Sequence, residues 1–191
     1  MPYVAETADH SDNARPRNKT LITAPRMTDG AAMWKIARDS GSLDLNSSYA
    51  YLLHCRDHAR ACRIATIDSE PAGFLLGMIV PLRPSTLFVW QIAVDTAFRG
   101  HGLAARMLDD VVADLVEAGE IDTVETTVTD DNAASLRLFH SFAERWGNTP
   151  ISKSPLFEAE HFPDGHDAEP LYTIGPLHAR DSPTSARPAD S

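Results

Sequence analysis

Residues 98–108 read FRGHGLAARML, and the reading of this stretch decides the fold. Arg99, Gly100, His101 and Gly102 crowd together, and a helical pattern opens at once behind them. Leu103, Met107, Leu108, Val111, Val112, Leu115 and Val116 recur at helical spacing, which predicts an amphipathic helix from Gly102 to about Ala118. A helix start carries N–H groups with no intrahelical partner and the positive end of the helix dipole. Glycines let a ligand reach the backbone with no Cβ in the way, and Arg99 adds charge at the same mouth. The run therefore predicts an anion site suited to a diphosphate. It is not a P-loop, since G-x-x-x-x-G-K-[ST] is absent, and Ala105 stands where the dinucleotide fingerprint would need a third glycine. A tight structural turn is the plain alternative for a G-x-G by itself.

Working outward, TLFVWQIAV (86–94) is too apolar to have a water-facing side and is expected to lie centrally in a sheet. CRIATI and AGFLLGMIV, separated by DSEP, predict a hairpin just before it. TLITAPRM predicts a first strand. TDGAAMWKIARD, with its Thr28-Asp29 start signal, predicts a helix, and Tyr49 to His58 a second with Tyr49, Leu52 and Leu53 on one side. After the glycine-rich helix come a strand, DTVETTV, and a helix from DDNAASLRLFHSF with capping residues at its start. Residues 147–170 are expected to be a long irregular segment, of the kind that is functional or an interface, before a last strand, LYTI. The order β-α-α-β-β-β-α-β-α-β predicts an α/β (α+β) domain, a mixed and mostly antiparallel sheet flanked by helices. Residues 20–177 form this domain; 1–19 and 178–191 are polar, proline-spiked and expected to be disordered tails.

The chain of 191 residues carries a formal charge of −10, which argues against nucleic acid as a partner, because phosphate backbones need a basic stripe. An acidic surface suits a cationic substrate or simply solubility. No window is apolar enough for a membrane span, and the N-terminus lacks the apolar core of a signal peptide. Cys55 and Cys62 have no metal or redox spacing and read as buried free thiols, so a cytoplasmic setting is expected. His161 and His166 lack a third ligand, so no metal site is expected. His54, His58 and His101 read as surface residues.

Arg99-x-x-Gly102-x-Ala104, following QIAVDTAF, resembles the R/Q-x-x-G-x-G/A signature of the GNAT acetyltransferases, and the strand order and the NAASL helix fit that fold. The resemblance implies acetyl-CoA as cosubstrate, with loop N–H groups from Arg99, Gly100, His101, Gly102, Leu103 and Ala104 on the diphosphate. It further implies that Ile92, Ala93 and Val94 pair with the pantetheine arm, and that Asn132 and Ser135 contact the coenzyme from the next helix. Four separated motifs, SGSLDLNSSYAYLLHCRDH, FVWQIAVDTAFRGHGLA, TVTDDNAASLRLF and HFPDGHDAEPLY, resemble diaminobutyrate acetyltransferases in order and spacing. That likeness implies acetylation of the γ-amine of L-2,4-diaminobutyrate on the route to ectoine, and a homodimer.

Such a substrate bears two ammonium groups and one carboxylate, so its pocket needs acceptors and a donor. Asp44 and Asn46 precede the second helix and Tyr49 follows. Trp90 offers a ring face for aliphatic carbons or an ammonium. Gln91 faces the other side of its strand, so at most one of that pair is expected to point into the cleft. His166 and Glu169 sit in the late segment, which resembles the part that closes the site in the family. Asp44 as a helix cap and Trp90 as core packing are the bland alternatives. Asp44, Glu125 and Glu169 are the candidate proton acceptors. Phe139 stands where many GNAT enzymes carry a tyrosine that protonates the leaving sulfur, so no acid is assigned. Three other readings remain open: a GNAT enzyme for another small amine such as a polyamine, a protein acetyltransferase, and a non-catalytic acyl-CoA sensor.

Overall fold

The computed structural model describes residues 19–41, 43, 45–163 and 165–179. Nearly all of both tails, and Asp44, lie outside these residues. Seven strands form one sheet in the order β1-β2-β3-β4-β5-β7-β6. The strands are β1 (Thr20–Thr23), β2 (Arg63–Ile67), β3 (Glu70–Val80), β4 (Arg83–Val94), β5 (Thr123–Thr127), β6 (Ile151–Phe157) and β7 (Glu169–Ile174). The helices are α1 (Gly30–Ser40), α2 (Ser48–Asp57), α3 (Leu103–Glu117) and α4 (Ala133–Arg145). Every strand pair is antiparallel except β4–β5, whose parallel crossover is α3. The expected mixed, mostly antiparallel sheet with helices on its faces is what forms, and β4 is its middle strand.

Two cores, one on each face, hold the layers together. On one side Met33 and Ile36 of α1 and Tyr51 and Cys55 of α2 pack on Ile64, Phe74, Leu76 and Ala93. On the other, the α3 stripe read from the sequence is buried in full, with Phe139 and Phe142 of α4 packed beside it. Arg63, nearly buried itself, ties β2 to α3 through Asp110 and Asp114. These two exposed carboxylates offset the cost of enclosing its charge.

Two expectations are corrected. Helix α2 buries Tyr51, His54 and Cys55, while Tyr49 and Leu52 are 64% and 41% exposed. Tyr51 can turn inward because its hydroxyl finds an acceptor there, Gln91 Oε1 at 3.1 Å. And the segment 147–170 is not irregular throughout: it contains β6, which pairs with β7 at the sheet edge. ISKSPLF has no alternating apolar period because most of the strand is exposed, and its Pro155 is tolerated where the pairing register shifts.

Candidate active site

The parallel pairing of β4 with β5 runs from Thr86↔Thr123 to Val89↔Thr126 and then stops, while β4 continues to Val94. The sheet is forked there. At the fork Thr126 Oγ1 donates to Val89 O at 3.0 Å, closing the last shared rung. On its other side β4 stays paired to β3, but Gln91 opposes Leu76 and Val89 opposes Gly77, which leaves Trp90 as the extra residue of a bulge. Gly77 is required opposite it, since a Cβ there would come within 2.6 Å of Ala61 O. The bulge overturns the expectation that only one of Trp90 and Gln91 reaches the cleft: both line it.

The fork opens into a cleft of about 1660 Å³ that runs from the start of α3 to the late segment. At one end lie Arg99, Gly100, Gly102, Leu103, Ala104 and Ala105. Gly100 and Gly102 sit at φ +83° and +67° with nothing within 4 Å of where a Cβ would be, so the conformation rather than crowding calls for glycine. No side chain caps α3, and its first-turn N–H groups face the cleft as donors for an anion. Among the described residues Arg99 makes long contacts, 3.4 Å, to the carbonyls of Val94 and Ser40. Ile92 and Val94 line the passage from the unpaired edge of β4. Asn132 and Ser135 line it from α4, where Asn132 also accepts from Ser135 N at 3.0 Å as the helix cap. Two of the expected residues fall outside the lining: Ala93 is buried in the α1–α2 core, and His101 is exposed, its Nδ1 3.1 Å from the Phe98 and Arg99 carbonyls.

At the other end the wall is made of side chains from scattered elements. Glu169 at the start of β7 accepts from Thr127 Oγ1 at 2.5 Å and lies 3.7 Å from His166 Nε2. The His166 ring rests on Phe162, centroids 4.6 Å apart. Across from them stand Trp90, Gln91 and Asn46. Tyr49 is exposed and is not among the residues that line the cleft. Glu125 is also outside the cleft, its carboxylate held by Arg83 Nη2 at 2.5 Å.

His54 and His58 line the cleft where the sequence reading placed surface residues, and Tyr51 supports it from behind. His54, read as a surface residue, is 6% exposed. It lines the cleft with His58 and stacks on Trp90 at 5.1 Å and 30°. Burial and the neighbouring His58 hold its imidazole below the usual range, against a contact with the Gly77 backbone that pulls the other way. Tyr51 anchors Gln91 from behind, and its phenol is raised by burial. The period of α2 could have shown both, since residues 51, 54, 55 and 58 share one face. Cys62, whose thiol burial pushes up to about 12, lies behind His54 and is no nucleophile at neutral pH. Among the described residues, no group of three or more His, Cys, Asp or Glu could hold a metal.

The family model described as Acetyltransferase (GNAT) family matches residues 31–143. An L-2,4-diaminobutyric acid acetyltransferase of Streptomyces anulatus is 51% identical over 174 residues, covering 90% of this chain and 98% of that protein. One from Streptomyces avermitilis is 51% identical over 158 residues, covering 82% and 88%. Among solved structures, the diaminobutyrate acetyltransferase EctA of Paenibacillus lautus, in complex with L-2,4-diaminobutyric acid and coenzyme A, superposes with a TM-score of 0.78 at 38% identity. That match covers 84% of this chain and 96% of the other. With its forked sheet, uncapped α3 and glycine turn, the chain belongs to the GNAT acetyltransferase family, in its group of L-2,4-diaminobutyric acid acetyltransferases.

Proposed function

We propose that the protein transfers the acetyl group of acetyl-CoA to the γ-amino group of L-2,4-diaminobutyrate, giving N4-acetyl-2,4-diaminobutyrate as a step toward ectoine. The observation that carries this reading is the continuity of the cleft. One cavity joins the anion-binding mouth of α3 to a wall that pairs a carboxylate with an aromatic face. The identity to the Streptomyces enzymes supports the choice of amine.

Acetyl-CoA supplies the acetyl group as a thioester, activated toward an amine. The residues present fit it: the α3 mouth is open to a diphosphate, and the free edge of β4 from Trp90 to Val94 offers backbone groups to an amide-bearing arm. A backbone N–H on that edge is placed to stabilise negative charge on the thioester oxygen. The γ-ammonium has a pKa of about 10.4 by analogy with lysine and must lose a proton before attack. Glu169, held by Thr127 at the amine end of the cleft, is the carboxylate we assign to bind that ammonium and take its proton, directly or through water. Asp44, outside the described residues, remains a proposed substrate ligand on the family resemblance; Asn46, two residues on in the sequence, lines the cleft. Trp90 covers the methylene carbons, and its His54 backing, kept neutral, adds no repulsion toward a cationic substrate. Phe139, buried at the cleft, has no hydroxyl to offer the leaving sulfur, and no acid is assigned to that step.

We further propose a homodimer using the exposed edge strand β6, where Leu156 and Phe157 stand 40% and 42% exposed; sedimentation velocity tests it. The free, buried Cys55 and Cys62 support a reducing, cytoplasmic setting. Among the described residues no helix is long and apolar enough to cross a membrane.

Thiol release from acetyl-CoA with L-2,4-diaminobutyrate, ornithine, lysine, putrescine or no amine tests the assignment, with NMR of the product. Release with diaminobutyrate above all others, and acetyl on the γ-nitrogen, is expected. Preference for putrescine would move the protein to the polyamine class, and coenzyme binding with no turnover on any amine would leave the sensor reading.

A further inference from the structure

Beyond the mouth of α3 the cleft continues as a groove between α3 and α4. Small residues, Ala104 and Ala105 of α3 and Ala134 of α4, line it. Arg137 and Ser141 follow Ala134 on one face of α4, at three- and four-residue steps. Three arginines line the whole cleft, and they differ in how their charge is used. Arg145 is committed to Asp109 at 2.8 Å and to Ser141. Arg99 stands at the glycine turn. Arg137 is exposed and, among the described residues, has no ion pair, in a chain with 27 acidic residues against 17 Lys and Arg. Elsewhere on the chain Arg38, Arg56, Arg60, Arg63 and Arg83 have carboxylate partners. An unpaired guanidinium on the wall of a ligand groove is therefore an available anion site, and its fork suits a phosphate.

Coenzyme A carries negative charge in two places, the diphosphate and the phosphate on the adenosine 3′-oxygen. The diphosphate already has the α3 N-terminus, the glycine turn and Arg99. We infer that Arg137 takes the adenosine 3′-phosphate, so that this residue sets the preference for coenzyme A over its 3′-dephospho form. The inference rests on the coenzyme reading proposed above and adds a residue and a chemical group to it. The adenosine then lies in the alanine-lined groove, and Arg145, neutralised by Asp109, contributes little to the phosphate.

Isothermal titration of coenzyme A and of 3′-dephospho-coenzyme A into the wild-type chain and into Arg137→Gln and Arg137→Lys separates the possibilities. The wild type is expected to prefer coenzyme A about five- to tenfold, as for one charge-assisted contact at an exposed site. In Arg137→Gln that ratio falls to about one through weaker binding of coenzyme A alone, and Arg137→Lys keeps part of it, because a point charge remains. Equal wild-type affinity for the two ligands would overturn the inference. So would an Arg137→Gln variant that weakens both equally, since Arg137 would then serve the diphosphate or the fold. Failure of both ligands to bind the wild type would overturn the coenzyme reading, and this inference with it.

Discussion

At its coenzyme end the cleft is built from backbone and from one contiguous run, residues 92–105, with α4 closing over it. At its amine end it is built from side chains that α2, β4, β5 and the segment before β7 bring together from four separate parts of the chain. The first end presents N–H groups, a dipole and two left-handed glycines. The second presents one carboxylate, its hydroxyl and imidazole neighbours, and a tryptophan backed by a histidine. A site made of local backbone accepts the same ligand in any family member, whereas a site of converging side chains is where one amine is chosen over another.

The sharpest way to break this division is Glu169→Gln. Loss of the proton acceptor and of the ammonium's counter-charge is expected to lower kcat/KM for diaminobutyrate by about 10²-fold or more, with coenzyme A affinity by titration held within about twofold of wild type. Trp90→Ala comes next. Removing the ring that covers the substrate's carbons should raise the diaminobutyrate KM by roughly tenfold, the cost of about one cation–π or packing contact, as steady-state kinetics would show. Gly102→Ala probes the other end: the left-handed turn should cost roughly 1–2 kcal/mol of stability by chemical denaturation, and the added Cβ should raise the acetyl-CoA KM while leaving amine selectivity in place.

The smallest expected effect concerns pH. The folded protein holds His54 below the ordinary value of 6.5 and so keeps it neutral, while the unfolded chain takes up a proton as pH falls through that value. Stability is thus unaffected by this group above about pH 6.5 and declines as pH drops below it. His54→Gln should flatten that acid limb in urea melts between about pH 7 and 5; an unchanged limb would assign the slope to other groups.

How legible each end was follows from the same difference. The α3 stripe, the central place of β4 and the glycine turn were open to reading because each is a local pattern whose partners are its sequence neighbours. The Trp90 bulge was not, since it shows only in the register against β3. Nor was the burial of His54, which depends on α2 presenting Tyr51 rather than Tyr49 to the core. Glu125 and Glu169 are both carboxylates at β-strand positions, and only the fork between β4 and β5 separates the one locked to Arg83 from the one that faces the cleft. Strand β6 lacked a pattern because an exposed edge imposes none.

The most direct test of the two-ended cleft is a crossed titration. Coenzyme A, and L-2,4-diaminobutyrate in the presence of coenzyme A, are titrated into wild type, Gly102→Ala and Glu169→Gln. The account predicts that Gly102→Ala weakens coenzyme A, while Glu169→Gln weakens the diamine and leaves coenzyme A as it was. Equal loss of coenzyme A in both variants would contradict it, and would mean that the two ends do not bind their ligands separately.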